Sequence, residues 1–172
     1  MVHPGPVAST LAESLRIWRP PDLEALELRL GTSVRHSYPK HWHEEIFFSA
    51  ITAGAGHFQV RGSDHVASPG TLVVVVPGEV HAHDDRHGGR SFRALHMAPA
   101  FFSDAALELA PGRHAPLDFS SSLIGDGRMF RSFLALHRSF EGSSTRLQRD
   151  ALLSGFIARL LRHVQDDVRP SR

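Results

Sequence analysis

The density of turn residues between residues 26 and 97 constrains this chain most. Apolar runs at Leu26 to Leu30, Glu45 to Thr52, Gly56 to Arg61, Thr71 to Val76 and Ser91 to Met97 are divided by Gly31, Gly54, Gly62-Ser63-Asp64, Pro69-Gly70, Pro77-Gly78 and Gly88-Gly89. The runs have strand length, and the breaks lie too close together for helical crossovers, which need about a dozen or more residues. Hairpins follow, so the predicted fold is mainly β, an antiparallel barrel or sandwich. Ile46 to Ile51 and Leu72 to Val76 are apolar on both faces, so these strands must be covered outside as well as inside. A later part of the chain has to supply that cover.

Past a connection rich in Pro, Gly and Ser, the apolar period becomes helical. Met129, Phe130, Phe133, Leu134, His137 and Phe140 fall on one stripe, and Gly142 follows as a stop. A second helix begins where Thr145 and Gln148 have capping-box spacing. Its stripe of Leu153, Phe156, Ile157, Leu160, Leu161 and Val164, widened by Leu147 and Leu152, exceeds the roughly 100° that one core contact needs. From that width we expect Leu153, Phe156, Leu160, Leu161 and Val164 to meet a second copy about a two-fold axis. Arg146, Arg149 and Arg162 would face Asp150 and Asp166 at the rim. The expected organisation is an arm at 1–22 with one short helix, anchored by Trp18, and a barrel at 23–110. A connection at 111–124, a two-helix dimerisation segment at 125–166 and a tail or linker start at 167–172 complete it.

Lys plus Arg number 19 against 18 Asp plus Glu, a formal net charge of +1, which is too balanced for a surface that coats nucleic acid. No apolar run approaches the roughly 20 residues of a membrane span, and residues 1–22 carry no signal-peptide core, so a cytoplasmic location without membrane contact is expected. There is no cysteine, hence no disulfide, thiol nucleophile or thiolate metal site. Histidine is the outlier at 13 residues.

His41 and His43 flank Trp42 at the entrance to a strand, and alternate residues of a strand share a face, so both imidazoles can reach one point. His81 follows Pro77-Gly78-Glu79-Val80, where a tight turn redirects the chain. Phe47, Ser49 and Ile51 continue the inward parity of His43, and mixed aromatic, aliphatic and polar groups suit a small organic ligand as well as core packing. His83 shares the face of His81 if the strand continues. Arg93 lies among apolar neighbours, where a buried guanidinium needs an acidic or polar partner. We therefore expect His83 and Arg93 to be polar contacts of an interior ligand. His96 alternates away from Arg93, toward the surface or the helices. His57, His65, His87, His114 and His163 lie in turns or polar contexts and are expected in solvent.

The spacing His41, His43, Gly54 and then Gly70, Pro77-Gly78, His81 resembles the two cupin motifs, with Phe47 at the motif glutamate and Val76 at the first proline. A phenyl ring cannot ligate a metal, and Glu44 and Glu45 do not restore the missing ligand convincingly. A metal-free interior is expected. If a divalent ion is held, His41, His43 and His81 are its expected ligands.

The stretch from Trp18 to Phe102 resembles the N-terminal effector-binding domain of AraC-type transcription regulators, a cupin-like barrel followed by two helices. The residues that carry the likeness are Tyr38-Pro39-Lys40-His41-Trp42-His43-Glu44-Glu45, Gly54, Arg61-Gly62, Pro69-Gly70, Val76-Pro77-Gly78-Glu79-Val80-His81 and Phe92-Arg93-Ala94-Leu95-His96-Met97-Ala98-Pro99. The resemblance implies a non-enzymatic sensor of a small organic effector, working as a homodimer. It implies DNA binding only through a C-terminal helix-turn-helix region of roughly 100 residues that does not occur in these 172 residues. His41, His43, Phe47, Ser49, His81, His83 and Arg93 are the candidate ligand-binding residues, and none is assigned to catalysis. The alternative is a stand-alone three-histidine, metal-dependent cupin enzyme, an oxygenase or isomerase.

Overall fold

The structure is a computed structural model that describes residues 12–84, 88–112, 119 and 121–168, with backbone alone for 165–168. The first eleven residues of the expected arm, His87, His114, the side chain of Asp166 and the tail from residue 169 lie outside the described residues. Ten strands and three helices are present among them: β1 (Ser14–Trp18), β2 (Leu26–Val34), β3 (Tyr38–His41), β4 (Ile46–Ala53), β5 (Gly56–Val60), β6 (Ser63–Ala67), β7 (Leu72–Val75), β8 (His81–Asp84), β9 (Arg90–Met97), α1 (Pro99–Leu109), β10 (Leu123–Ile124), α2 (Gly127–Ser139) and α3 (Arg146–Val168). Every strand pairing is antiparallel.

The strands form a six-stranded sheet, β1-β2-β9-β4-β7-β10, and a four-stranded sheet, β3-β8-β5-β6. Period-two alternation divides the larger sheet into two apolar faces. Phe47, Ile51, Val73, Val75, Phe92 and Ala94 pack with Val34 and with Phe58, Val60 and Ala67 of the smaller sheet, filling the space between the sheets. Ile46, Phe48, Ala50, Leu72, Val74, Leu95 and Met97 point the other way, into a second core with Phe102, Phe133, Phe156 and Leu160 of the helices. Strands apolar on both faces therefore have the two covers they require.

Local chemistry accounts for the turns and helix ends. Arg61 and Gly62 both have positive φ and join β5 to β6 as a two-residue hairpin turn, matching the strand twist. Asp126 accepts a bond from the Arg128 amide at 2.7 Å at the start of α2. Thr145 and Gln148 form the reciprocal bonds of a capping box, with Gln148 N–H to Thr145 Oγ1 at 3.3 Å and Thr145 N–H to Gln148 Oε1 at 2.9 Å.

Several expectations need correction. Residues 14–18 form an edge strand on β2 rather than a helical arm, and Trp18 ends that strand packed against the helical core. Gly31 is not a break but lies inside β2, opposite Phe92, where a Cβ would come within 2.4 Å of the phenyl ring. Helix α1 adds a third helix within the segment assigned to the barrel. The wide stripe of α3 is consumed within the protomer: Leu153, Phe156, Leu160 and Val164 are buried and Leu161 is partly buried, against the sheet, α1 and α2. No surplus apolar face remains at those five positions, and of the flanking residues Leu147 is the exposed one, at 78%. Arg146 pairs with Asp150 along the helix and Arg149 with Asp22, so two of the expected rim arginines have partners in their own chain.

Candidate functional site

At one end of the space between the sheets the apolar filling gives way to imidazoles. β3 and β8 pair with His41 opposite His81 and Tyr38 opposite His83. His81 and His83, alternate residues of β8, are both buried toward the interior. The turn from Pro77 to Val80 delivers them there, held by the Gly78 amide donating to the His43 carbonyl at 2.9 Å. On the larger sheet, Phe47 of β4 lies beside His96 of β9, which in turn lies beside Glu27 of β2. The rings then cluster in tilted and edge-to-face contacts: His41 to His81 at 4.2 Å, His43 to His81 at 4.9 Å, His43 to His96 at 5.1 Å and Phe47 to His96 at 4.9 Å between centroids.

Backbone carbonyls fix several tautomers. His41 Nδ1–H donates to the Pro39 carbonyl at 2.8 Å, His43 Nδ1–H to the Glu45 carbonyl at 2.8 Å and His81 Nδ1–H to the Glu79 carbonyl at 3.0 Å. A carbonyl only accepts, so in the neutral ring each Nε2 carries the lone pair. His83 is set differently, its Nδ1 accepting from Arg90 Nη2 at 3.1 Å. Burial disfavours the imidazolium at four of the rings, lowering His43, bringing His81 to about 4 and His96 to about 3, and holding His83 well below its ordinary value. These four rings are neutral at pH 7. Arg90 remains charged although burial lowers it to about 10, with its guanidinium over Phe92 at 4.9 Å and Phe58 at 5.4 Å.

Two connected hollows use these groups. A cleft of about 400 Å³ is lined by Arg19, Glu24, Glu27, Arg29, Tyr38, His41, His43, Glu45 and His96. It shares Arg29, Tyr38, His41, His43 and His96 with a smaller interior cavity of about 50 Å³, which adds Phe47, His81, His83 and Arg90. Glu27 holds both rim arginines, accepting from Arg19 Nη2 at 3.0 Å and Arg29 Nη2 at 2.7 Å, and the pairing keeps its carboxyl below the usual range despite burial.

Of the seven candidate residues, His41, His43, Phe47, His81 and His83 line these hollows. Ser49 is buried deeper on the same face of β4, flanked in the sheet by Val73 and Ala94. Arg93 is on the wrong side for an interior contact: it faces α2, where it forms an ion pair with Glu141 and donates to His137 Nδ1 at 3.1 Å. The interior face of β9 carries Arg90, Phe92, Ala94 and His96 instead. His96, expected at the surface or against the helices, is a cavity wall. Tyr38, Arg29, Glu45 and Arg90 were missed as well. The arrangement offers neutral lone pairs, aromatic walls and two kinds of guanidinium, a set suited to a small polar or acidic organic molecule.

The class this defines is a cupin-like two-sheet barrel backed by helices with a histidine-lined cavity. The family model for the AraC-like ligand binding domain matches residues 25–157, and the chain belongs to that family. No curated protein matches the sequence significantly. Among solved structures, similar ones include a conserved Streptococcus pyogenes protein of unknown function, 13% identical with a TM-score of 0.43 over 51% of this chain and 75% of its own. KdgF from a Halomonas species is 17% identical with a TM-score of 0.42 over 48% and 76%. The DMSP lyase DddQ of Ruegeria pomeroyi is 18% identical with a TM-score of 0.42 over 51% and 47%. No helix among the described residues is long and apolar enough to cross a membrane.

Proposed function

We propose that the chain is the effector-sensing unit of an AraC-type transcription regulator of the cytoplasm, acting by binding rather than turnover. The observation that carries this reading is the family match across residues 25–157 together with a concavity inside the matched barrel. A small organic effector enters the cleft beside Tyr38, His41, His43 and His96 and reaches inward toward His83 and Arg90. Against the enzyme alternative stands Phe47, which occupies the motif glutamate position and stacks on His81 at 6.3 Å with 20° between the rings. DNA contact is left to a helix-turn-helix region outside these residues. Pairing of two copies, if through α3, falls to its outer side around Leu147 and Ala151 rather than to the buried stripe.

The test is a thermal-shift screen of small organic acids and aromatic compounds on the purified chain, followed by calorimetry. A ligand at 100 times its Kd adds about 2.7 kcal/mol to stability. We expect at least one such ligand, and His83→Ala to weaken it about tenfold, the equivalent of one hydrogen bond. A ligand unaffected by His83→Ala, or a compound chemically converted by the chain, overturns the reading.

A further inference from the structure

Among the described residues, the metal-capable side chains that come within 4.8 Å of one another at their donor atoms are His43, Glu45 and His96. This is a different set from His41, His43 and His81, and its carboxylate comes from a position two residues before Phe47. We propose that His43, Glu45 and His96 hold one divalent transition-metal ion on the wall of the larger cleft. The inference stands whether or not that cleft also receives an organic effector.

Three further observations bear on it. His43 spends its Nδ1–H on the Glu45 carbonyl at 2.8 Å, and this outer bond both fixes the ring and leaves the Nε2 lone pair for a ligand role. Nε2 of His43 and Nε2 of His96 are buried without a hydrogen-bond partner among the described residues, and His96 as a whole is only 9% exposed. Leaving such atoms unmatched carries a desolvation cost that coordination removes. The Glu45 side chain is half-buried beside them and forms no ion pair with any described cation, so its charge is available to the ion.

The same residues follow from the strand geometry. His96 lies opposite Phe47, Met97 lies opposite Ile46, and Glu45 immediately precedes β4, so the carboxylate and the imidazole meet across the β4 and β9 pair. A bound ion with ligands at roughly 2.0–2.2 Å draws its donors to about 3–3.5 Å apart. The donors already lie within 4.8 Å of one another, and binding would bring them closer. Two imidazoles and one carboxylate suit zinc, iron(II), nickel or cobalt rather than calcium or magnesium. Three protein donors leave further coordination positions that water can fill.

The experiment uses the whole chain, stripped with chelator and titrated with Co²⁺, read by its visible absorption, and with Zn²⁺ by calorimetry. One ion per chain is expected. Glu45→Gln and His96→Ala should each weaken binding at least about tenfold, since even outer-shell changes commonly cost 10- to 100-fold, with the circular-dichroism spectrum of each variant compared with the parent. Should His96→Ala fail to fold, the half-exposed Glu45→Gln decides alone. No binding, or binding unmoved by Glu45→Gln and lost in His41→Ala, overturns the proposal. The second result would seat the ion on His41, His43 and His81.

Discussion

The two faces of the six-stranded sheet are built from interleaved residues of the same strands, yet they end differently. On the helix side, Phe48 meets Phe156 at 5.3 Å, Phe156 meets Phe133 at 5.5 Å, and the apolar layer continues into all three helices. On the side facing the smaller sheet, the apolar layer of Phe47, Ile51 and Val75 stops at five clustered histidines and two hollows. One face is closed by the rest of the chain, and the other is left for something to enter. Both faces of these strands are apolar along much of their length, so what sets the two sides apart is what the strand ends carry.

The largest expected effect tests the closed face. Leu160→Glu places a charge at a fully buried position among Phe133, Phe156 and the sheet. It should abolish cooperative folding, a loss of more than about 4 kcal/mol. A folded Leu160→Glu monomer, seen by denaturation and sedimentation, would mean that this side of α3 is a subunit surface after all.

A smaller effect sharpens the open face. His81 titrates near pH 4 when folded against 6.5 for the free group, so the unfolded chain binds the extra proton first. Its neutral burial therefore contributes fully above pH 6.5, and that contribution is lost as pH falls from 6.5 toward 4. Urea denaturation at pH 7 and pH 5 should show stability falling, and His81→Asn should reduce that fall by roughly 1–2 kcal/mol. An unchanged pH slope in the variant would show that His81 is hydrated in solution.

The least effect is expected at Leu147, the exposed end of α3. Leu147→Glu should change monomer stability by less than about 0.5 kcal/mol. Sedimentation of the same variant reads whether the outer side of α3 joins two copies: a parent dimer that survives the change removes Leu147 from the interface.

Strand positions were legible wherever Gly and Pro bracket apolar runs, as at β4, β5 and β7, and the capping pair Thr145 and Gln148 announced the start of α3. The interior parity of β9 was not. Both faces of that strand are apolar, so alternation separates Arg90 and His96 from Arg93 without saying which set points inward, and the apolar neighbours of Arg93 favour the wrong one. Reading the strand as starting at Ser91, after the Gly88-Gly89 break, also left Arg90 out of it. β1 was hidden because it is a strand of mostly exposed residues, close to Pro20 and Pro21, that reveals itself only through its partner β2. Helix α1 buries little besides Phe102 and Ala106 and so lacks a clear stripe. Motif spacing looks for a carboxylate at Phe47, whereas Glu45, which shares the parity of His43 and Phe47, reaches the cleft from just before β4.

Arg29 belongs to both faces at once. Its side chain lines the cleft, while its carbonyl accepts from His137 Nε2 of α2 at 3.1 Å. The opposite nitrogen of that imidazole meets Arg93 of β9, and the ring edge rests on Trp18 of β1 at 5.4 Å. His137 is thus a rivet through three neighbouring strands and a helix. A substitution at His137 would therefore be felt in β1, β2, β9 and α2 together, with Arg29 carrying the connection to the cleft.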